Sequence, residues 1–109
     1  MTVNKEDIKI DYSKNDGLSD AAATTLYDRY LLPNETPQDA YARVAAAYGS
    51  NPEHAQRLYN YMANNWFIPA TPVLCNGGTE RGLPISCFLN EVQGSLESIV
   101  DTWLSLIHI

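Results

Sequence analysis

Two helix-start signals follow one another in the middle of this chain, and they restrict its fold more than any other feature. In "ETPQDAYARVAAAYGSNPEHAQRLYNYMANN", Thr36 stands before Pro37 and Asn51 before Pro52. A residue whose side-chain oxygen can accept from a free backbone amide, followed by a proline whose fixed φ suits the first helical turn, marks a helix N-terminus. Asp39, three positions after Thr36, completes a reciprocal cap, and Gly49 closes the helix so begun. Within it Ala40, Tyr41, Val44, Ala45 and Tyr48 share one face; after Pro52, Ala55, Leu58, Tyr59 and Met62 share another. Two helices of about a dozen residues with only a Gly-Ser turn between them predict an antiparallel hairpin.

Other elements are arranged around that pair. Residues 1–17 are polar, with one short alternation at Ile8, Ile10 and Tyr12, and predict a flexible arm or a short edge strand. Ser19 and Asp20 then cap a helix whose apolar positions are Ala23, Leu26, Tyr27, Tyr30 and Leu31, ended by Pro33. Residues 18–66 thus form a helical domain. Beyond Trp66 the chain is punctuated by Pro69, Pro72, Gly77, Gly78, Gly82 and Pro84, too broken for helix, and of its short apolar runs "ISCFL" predicts a buried strand. A last helix begins at Ser95 and carries Leu96, Ile99, Val100, Trp103, Leu104 and Ile107 at helical spacing.

Charge and cysteine usage exclude several classes of function. Thirteen acidic residues against seven basic ones, a net charge of −6, and the absence of any Lys/Arg run argue against nucleic acid or anionic lipid as a partner. The charged N-terminus has no apolar run of signal-peptide length, and nowhere do 18 apolar residues follow one another, so a cytoplasmic protein is expected. There, two cysteines are expected to be free, catalytic or redox-cycling rather than a structural disulfide.

Taken by residue type alone, the candidate sites have ordinary explanations. Cys87, between Ser86 and Phe88 in an apolar run, reads more readily as an inert buried thiol than as a nucleophile. Cys75 and Cys87 together supply half the ligands of a zinc site, and His54 and His108 read as solvated side chains, so no metal is expected. The Gly-rich "CNGGTERG" lacks the Lys-Ser/Thr of a P-loop and reads as an exposed turn. The helical tyrosines read as packing.

One longer pattern changes that balance. "FIPATPVLCNGGTERGLPISCFLNEVQGSLESIVDTW", residues 67–103, strings together Thr-Pro, Asn-x-Gly-Thr, Ser-Cys-Phe-Leu and Ser-Leu-Glu-x-Ile, and resembles the catalytic large subunits of ribonucleotide reductases. The upstream "RYLLPNETPQDAYARVA" resembles the helical region that precedes the barrel in that family, so the resemblance covers about residues 18–103. It implies a mainly α chain, an N-terminal helical domain followed by the first strand and helix of a ten-stranded α/β barrel, with residues 67–103 opening the barrel. It implies reduction of ribonucleotides to deoxyribonucleotides by a thiyl-radical mechanism. Cys87 would be one of the redox cysteine pair, Thr71 and Ser86 would hold the substrate's phosphate end, and Ser95 and Leu96 would belong to the effector site. The partners implied are a ribonucleotide substrate, ATP or a deoxynucleoside triphosphate as effector, a thioredoxin-like or glutaredoxin-like reductant, a second large subunit, and a radical from a metal-bearing small subunit or adenosylcobalamin.

The chain departs from the family pattern in three places. Gly94 replaces the usual Asp before Ser-Leu, which puts the effector-sugar contact in doubt. Cys75 occupies a usually small or apolar position and reads as packing. Residues 104–109, "LSLIHI", do not match the family's continuation and are expected to be a non-native tail, the chain being a fragment without activity of its own. The alternatives are a small helical interaction module without catalysis, or a nucleotide-binding regulatory domain.

Overall fold

A computed structural model describes residues 2–87, 89 and 91–107. Among them the regular elements are helices: α1 (Asp20–Arg29), α2 (Pro37–Tyr48), α3 (Pro52–Ala63), α4 (Thr71–Asn76) and α5 (Leu96–Ile107), with 3-10 turns at Lys5–Asp7 and Tyr12–Gly17 ahead of α1.

The two central helices begin where their caps predict. Thr36 Oγ1 accepts from Asp39 N at 3.3 Å while the Asp39 carboxylate accepts from Thr36 N at 3.0 Å, and Pro37 fills the first helical position. Asn51 Oδ1 accepts from His54 N at 2.8 Å. His54 is more than a solvated side chain, because its Nδ1 accepts from Ser50 N at 2.9 Å and completes that cap from the other side. Such caps are worth about 1 kcal/mol each and fix helix starts to the residue.

The core to which α2 and α3 contribute is rich in small side chains. Ala40, Ala42, Ala45 and Ala55 are wholly buried, and Tyr59 and Met62 are the largest buried side chains beside them. The turn is as tight as its chemistry permits: a Cβ placed on Gly49 would lie 2.6 Å from Ala55 Cβ and 2.8 Å from Ala55 Cα. Gly49 is therefore required by close approach, its own φ of −71° being open to any residue. Leu26, Tyr30 and Leu31 pack on this core from α1 and the residues after it, whereas Tyr27, expected on the same stripe, is exposed.

Residues 2–17 are neither a free arm nor an edge strand. Val3 and Ile8 are buried in the core. The backbone between them and α1 is held by side chains of α2 and α3: Gln56 bonds both Lys9 N (2.7 Å) and Lys9 O (3.2 Å), and Tyr59 Oη accepts from Asp11 N at 3.0 Å. Tyr12 donates to Asp39 Oδ1 at 2.7 Å, Lys5 Nζ lies 3.0 Å from the same oxygen, and Asn15 Oδ1 accepts from Gln38 N at 3.1 Å. These bonds satisfy backbone groups that a strand neighbour would otherwise have to meet.

Beyond α3 two further expectations are corrected. The Thr-Pro stretch, judged too broken for helix, forms the short helix α4, since Pro72 sits in its first turn, where the missing N–H costs nothing. Residues 85–87 and 89 of the expected buried strand are exposed and carry no strand, and Phe88 lies outside the described residues. A strand gains its bonds only from a neighbour, and the described residues present none. α5 buries none of its side chains, leaving Leu96 and Trp103 largely exposed.

Candidate functional site

The chemistry-bearing residues are spread over α4, the loop after it and the start of α5. Thr71 opens α4 on the surface. Its Oγ1 is 3.2 Å from the hydroxyl of Tyr30, at the C-terminal end of α1. Tyr30 and Thr71 both line a groove of about 470 Å³ whose walls are otherwise mostly apolar, with Leu18, Leu26, Met62 and Phe67 among them.

The far end of α4 is held more firmly. Arg43, on α2 and 8% exposed, donates from Nη1 to Gly77 O at 2.6 Å and from Nη2 to Leu74 O at 3.0 Å. The other edge of its guanidinium meets Glu35, Nε to Oε2 and Nη2 to Oε1, each at 3.0 Å. The bidentate pair neutralises a buried cation, and the two carbonyls belong to the helix end, where intrahelical donors run out.

The glycines of this loop answer to the same contact. A side chain on Gly77 would run into the Val73 carbonyl and the Tyr48 ring, and Gly78 has φ of 74° with the Arg43 side chain close by. "CNGGTERG" is thus packed on α2 at its start and becomes an exposed turn only later. Thr79 Oγ1 donates to Asn76 O at 2.7 Å, Asn76 Nδ2 donates to Leu83 O at 2.9 Å, and Arg81 Nη2 donates to Cys75 O at 3.1 Å. Cys75 is half-buried with its Sγ 3.5 Å from Arg29 O, in keeping with a packing residue.

Ser86 and Cys87 are both exposed, with Oγ and Sγ 3.9 Å apart. No hydrogen bond among the described residues joins either of them to Thr71. Ser95 Oγ accepts from Ser98 N at 3.1 Å and so caps α5, Leu96 is 77% exposed, and open space surrounds Gly94. Among the described residues no group of three or more His, Cys, Asp or Glu side chains could hold a metal ion, and no helix is long and apolar enough to cross a membrane.

Residues 16–82 match the family model described as the all-alpha domain of ribonucleotide reductase. The chain belongs to the ribonucleotide reductase family. Among its curated relatives, a ribonucleoside-diphosphate reductase large subunit of Invertebrate iridescent virus 6 is 36% identical over 97 residues, which are 88% of this chain and 10% of the viral protein. A large subunit from African swine fever virus (isolate Tick/South Africa/Pretoriuskop Pr4/1996) is 36% identical over 106 residues, 87% of this chain and 14% of that one. A vitamin B12-dependent ribonucleoside-diphosphate reductase of Mycobacterium tuberculosis (strain ATCC 25618 / H37Rv) is 37% identical over 100 residues, 78% of this chain and 14% of its own. The chain therefore spans between about a tenth and a sixth of the length of the curated relatives it matches. No solved structure matches it.

Three residues of this region escaped the sequence reading. Tyr30 counted only as an apolar position of α1, and Arg43 and Glu35 had no assigned role. A signal was present for one of them: Arg43 lies three residues after Ala40 on an apolar face, where a buried cation needs a partner.

Proposed function

We propose that this chain is the part of a ribonucleotide reductase large subunit that supplies one redox cysteine and part of the cradle for the substrate's phosphate end. The observation that carries this reading is the family match over residues 16–82, joined to relatives named as ribonucleoside-diphosphate reductases across most of the chain. Those names favour a nucleoside diphosphate as substrate.

In the proposed reaction Cys87 and a second cysteine each give up a hydrogen. The 2′-hydroxyl of the ribonucleotide leaves as water, a hydrogen takes its place, and the two thiols end as a disulfide. Exchange with an external dithiol restores them, a step that needs an accessible sulfur. The exposure of Cys87 suits that step. Thr71 and Ser86 present hydroxyls that can bond phosphate oxygens. Ser95 and Leu96, at the start of α5, are assigned to a deoxynucleoside triphosphate effector, whose charge a helix N-terminus favours.

The radical that starts the chemistry would come from a metal-bearing small subunit or from adenosylcobalamin. The relatives' names carry both options, "large subunit" for the viral proteins and "vitamin B12-dependent" for the mycobacterial one.

The test is a large subunit of a viral relative in which this chain replaces the aligned segment, checked for native circular dichroism and assayed for dithiol-dependent formation of deoxynucleotide. Activity that Cys87→Ser abolishes supports the reading. Undiminished turnover with Cys87→Ser would dismiss the redox role.

A further inference from the structure

We infer that Arg43, braced by Glu35, is a positioning residue for the substrate: by holding the Leu74 and Gly77 carbonyls it fixes α4, and with α4 the Thr71 hydroxyl. The inference rests on the assignment of Thr71 to the substrate's phosphate end made above.

Short helices do not hold themselves in place, and α4 has six residues with no side-chain cap on Ala70 at its start. Leu74 anchors its middle in the core, with Val73 packed alongside, and two polar handles set its ends. Tyr30 meets the Thr71 hydroxyl at one end, and Arg43 meets two end carbonyls at the other. Arg43 belongs to α2, which has more buried residues than any other described helix, so the clamp ties the end of α4 to the centre of the core.

A buried ion pair is a poor device for stability alone, since apolar side chains of similar size commonly do as well. Its distinctive property is direction. The planar guanidinium spreads fixed donors over the Glu35 carboxylate and the Leu74 and Gly77 carbonyls, on two separate stretches of chain, which an ammonium at the end of a flexible stem cannot match. Gly77 and Gly78 complete the arrangement, because a side chain at either would push the loop off Arg43 and Tyr48. A nucleotide's phosphate end meeting Thr71 then finds a hydroxyl whose place is decided before binding.

The paired variant Arg43→Met with Glu35→Leu removes the clamp without leaving a charge unpaired. In the 109-residue chain, amide hydrogen exchange at Leu74 and Gly77 is expected to quicken at least about tenfold, with Tyr59 and Met62 unchanged. In the chimeric large subunit, KM for the nucleoside diphosphate is expected to rise about tenfold with kcat within about twofold, and Thr71→Val added on top is expected to cost little more. Arg43→Lys should not restore KM. A purely structural role predicts less folded enzyme with KM unmoved; that result, with Thr71→Val alone raising KM, overturns the inference and spares the reading beneath it. If Thr71→Val alone leaves KM unchanged, the reading itself fails and the inference falls with it.

Discussion

Arg43 Nη1 donates to the carbonyl of Gly77 at 2.6 Å, joining a core helix to a glycine 34 residues further along the chain. The same guanidinium shares its charge with Glu35, and both side chains are under a tenth exposed. Truncating one partner strands the other. Arg43→Met is expected to cost about 3–5 kcal/mol, because it leaves a carboxylate buried without a cation, whereas the double variant with Glu35→Leu should recover most of that loss. Urea denaturation of the three proteins decides the matter; equal loss in single and double variants would mean that the pair is not electrostatically coupled.

Gly49 tests the tightness of the α2–α3 turn. The Cβ of Gly49→Ala would meet Ala55 Cβ at 2.6 Å, inside any allowed contact, so the helices must part or the turn must shift. A loss of about 1–3 kcal/mol is expected, the usual scale of overpacking. Adding Ala55→Gly should return only part of it, since Ala55 Cα would still lie 2.8 Å away. An unchanged urea midpoint for Gly49→Ala would show that the approach is looser than described.

Tyr59 joins the N-terminal segment to the helical hairpin through one hydroxyl, which donates to Gln38 Oε1 at 2.8 Å and accepts from Asp11 N at 3.0 Å. Tyr59→Phe keeps the ring and removes both bonds, leaving the amide oxygen of a buried glutamine unsatisfied. The expected cost is about 1–3 kcal/mol, with faster amide exchange over Tyr12–Gly17. Wild-type exchange in that turn would mean that Gln56 and Asp39 hold it without Tyr59.

Local punctuation is what made part of this fold readable. Thr36, Pro37, Asn51 and Pro52 act on their own helices, and α2 and α3 start where those residues predict. The N-terminal turns were missed because their partners, Gln56, Tyr59 and Asp39, lie 27 to 48 residues away and carry no local mark of the contact. The Arg43 clamp was missed because the carbonyls that it holds lie 31 and 34 residues away, although a cation on an apolar face was itself visible. The "ISCFL" run misled in the other direction: its composition suits a strand, but pairing is a property of two segments, and the described residues supply only one. The positions of Thr71, Ser86, Cys87, Ser95 and Leu96 came from the family pattern, which conveys identity and not geometry.

Asp39 sets the acid limit of the N-terminal packing. Burial pushes its carboxyl upward, but hydrogen bonds from Tyr12 and Thr36 and the Lys5 ammonium outweigh that and bring it from the usual 3.8 to about 2. A depressed carboxylate adds stability above its unfolded pKa and loses it as the pH falls through the folded value. The window is therefore about pH 4 down to about pH 2, and after allowance for solvent screening the amount is about 1–2 kcal/mol. Asp39→Asn should flatten that limb of the stability profile. A profile equally steep with and without the substitution would place the acid sensitivity elsewhere.

The two thiols differ in access, and that difference bears on the redox role proposed for Cys87. Cys75 is half-buried beside the Arg29 carbonyl, while Cys87 is exposed next to Ser86. Exchange with an outside dithiol proceeds by attack on a reachable sulfur, so access limits the rate before any other property does. An aromatic disulfide reagent should therefore modify Cys87 at least about tenfold faster than Cys75, read by peptide mass spectrometry over time, and Cys87→Ser should leave only the slow phase. Modification of Cys75 first would remove the argument that Cys87 is the sulfur open to a reductant, and the assignment would then rest on the family pattern alone.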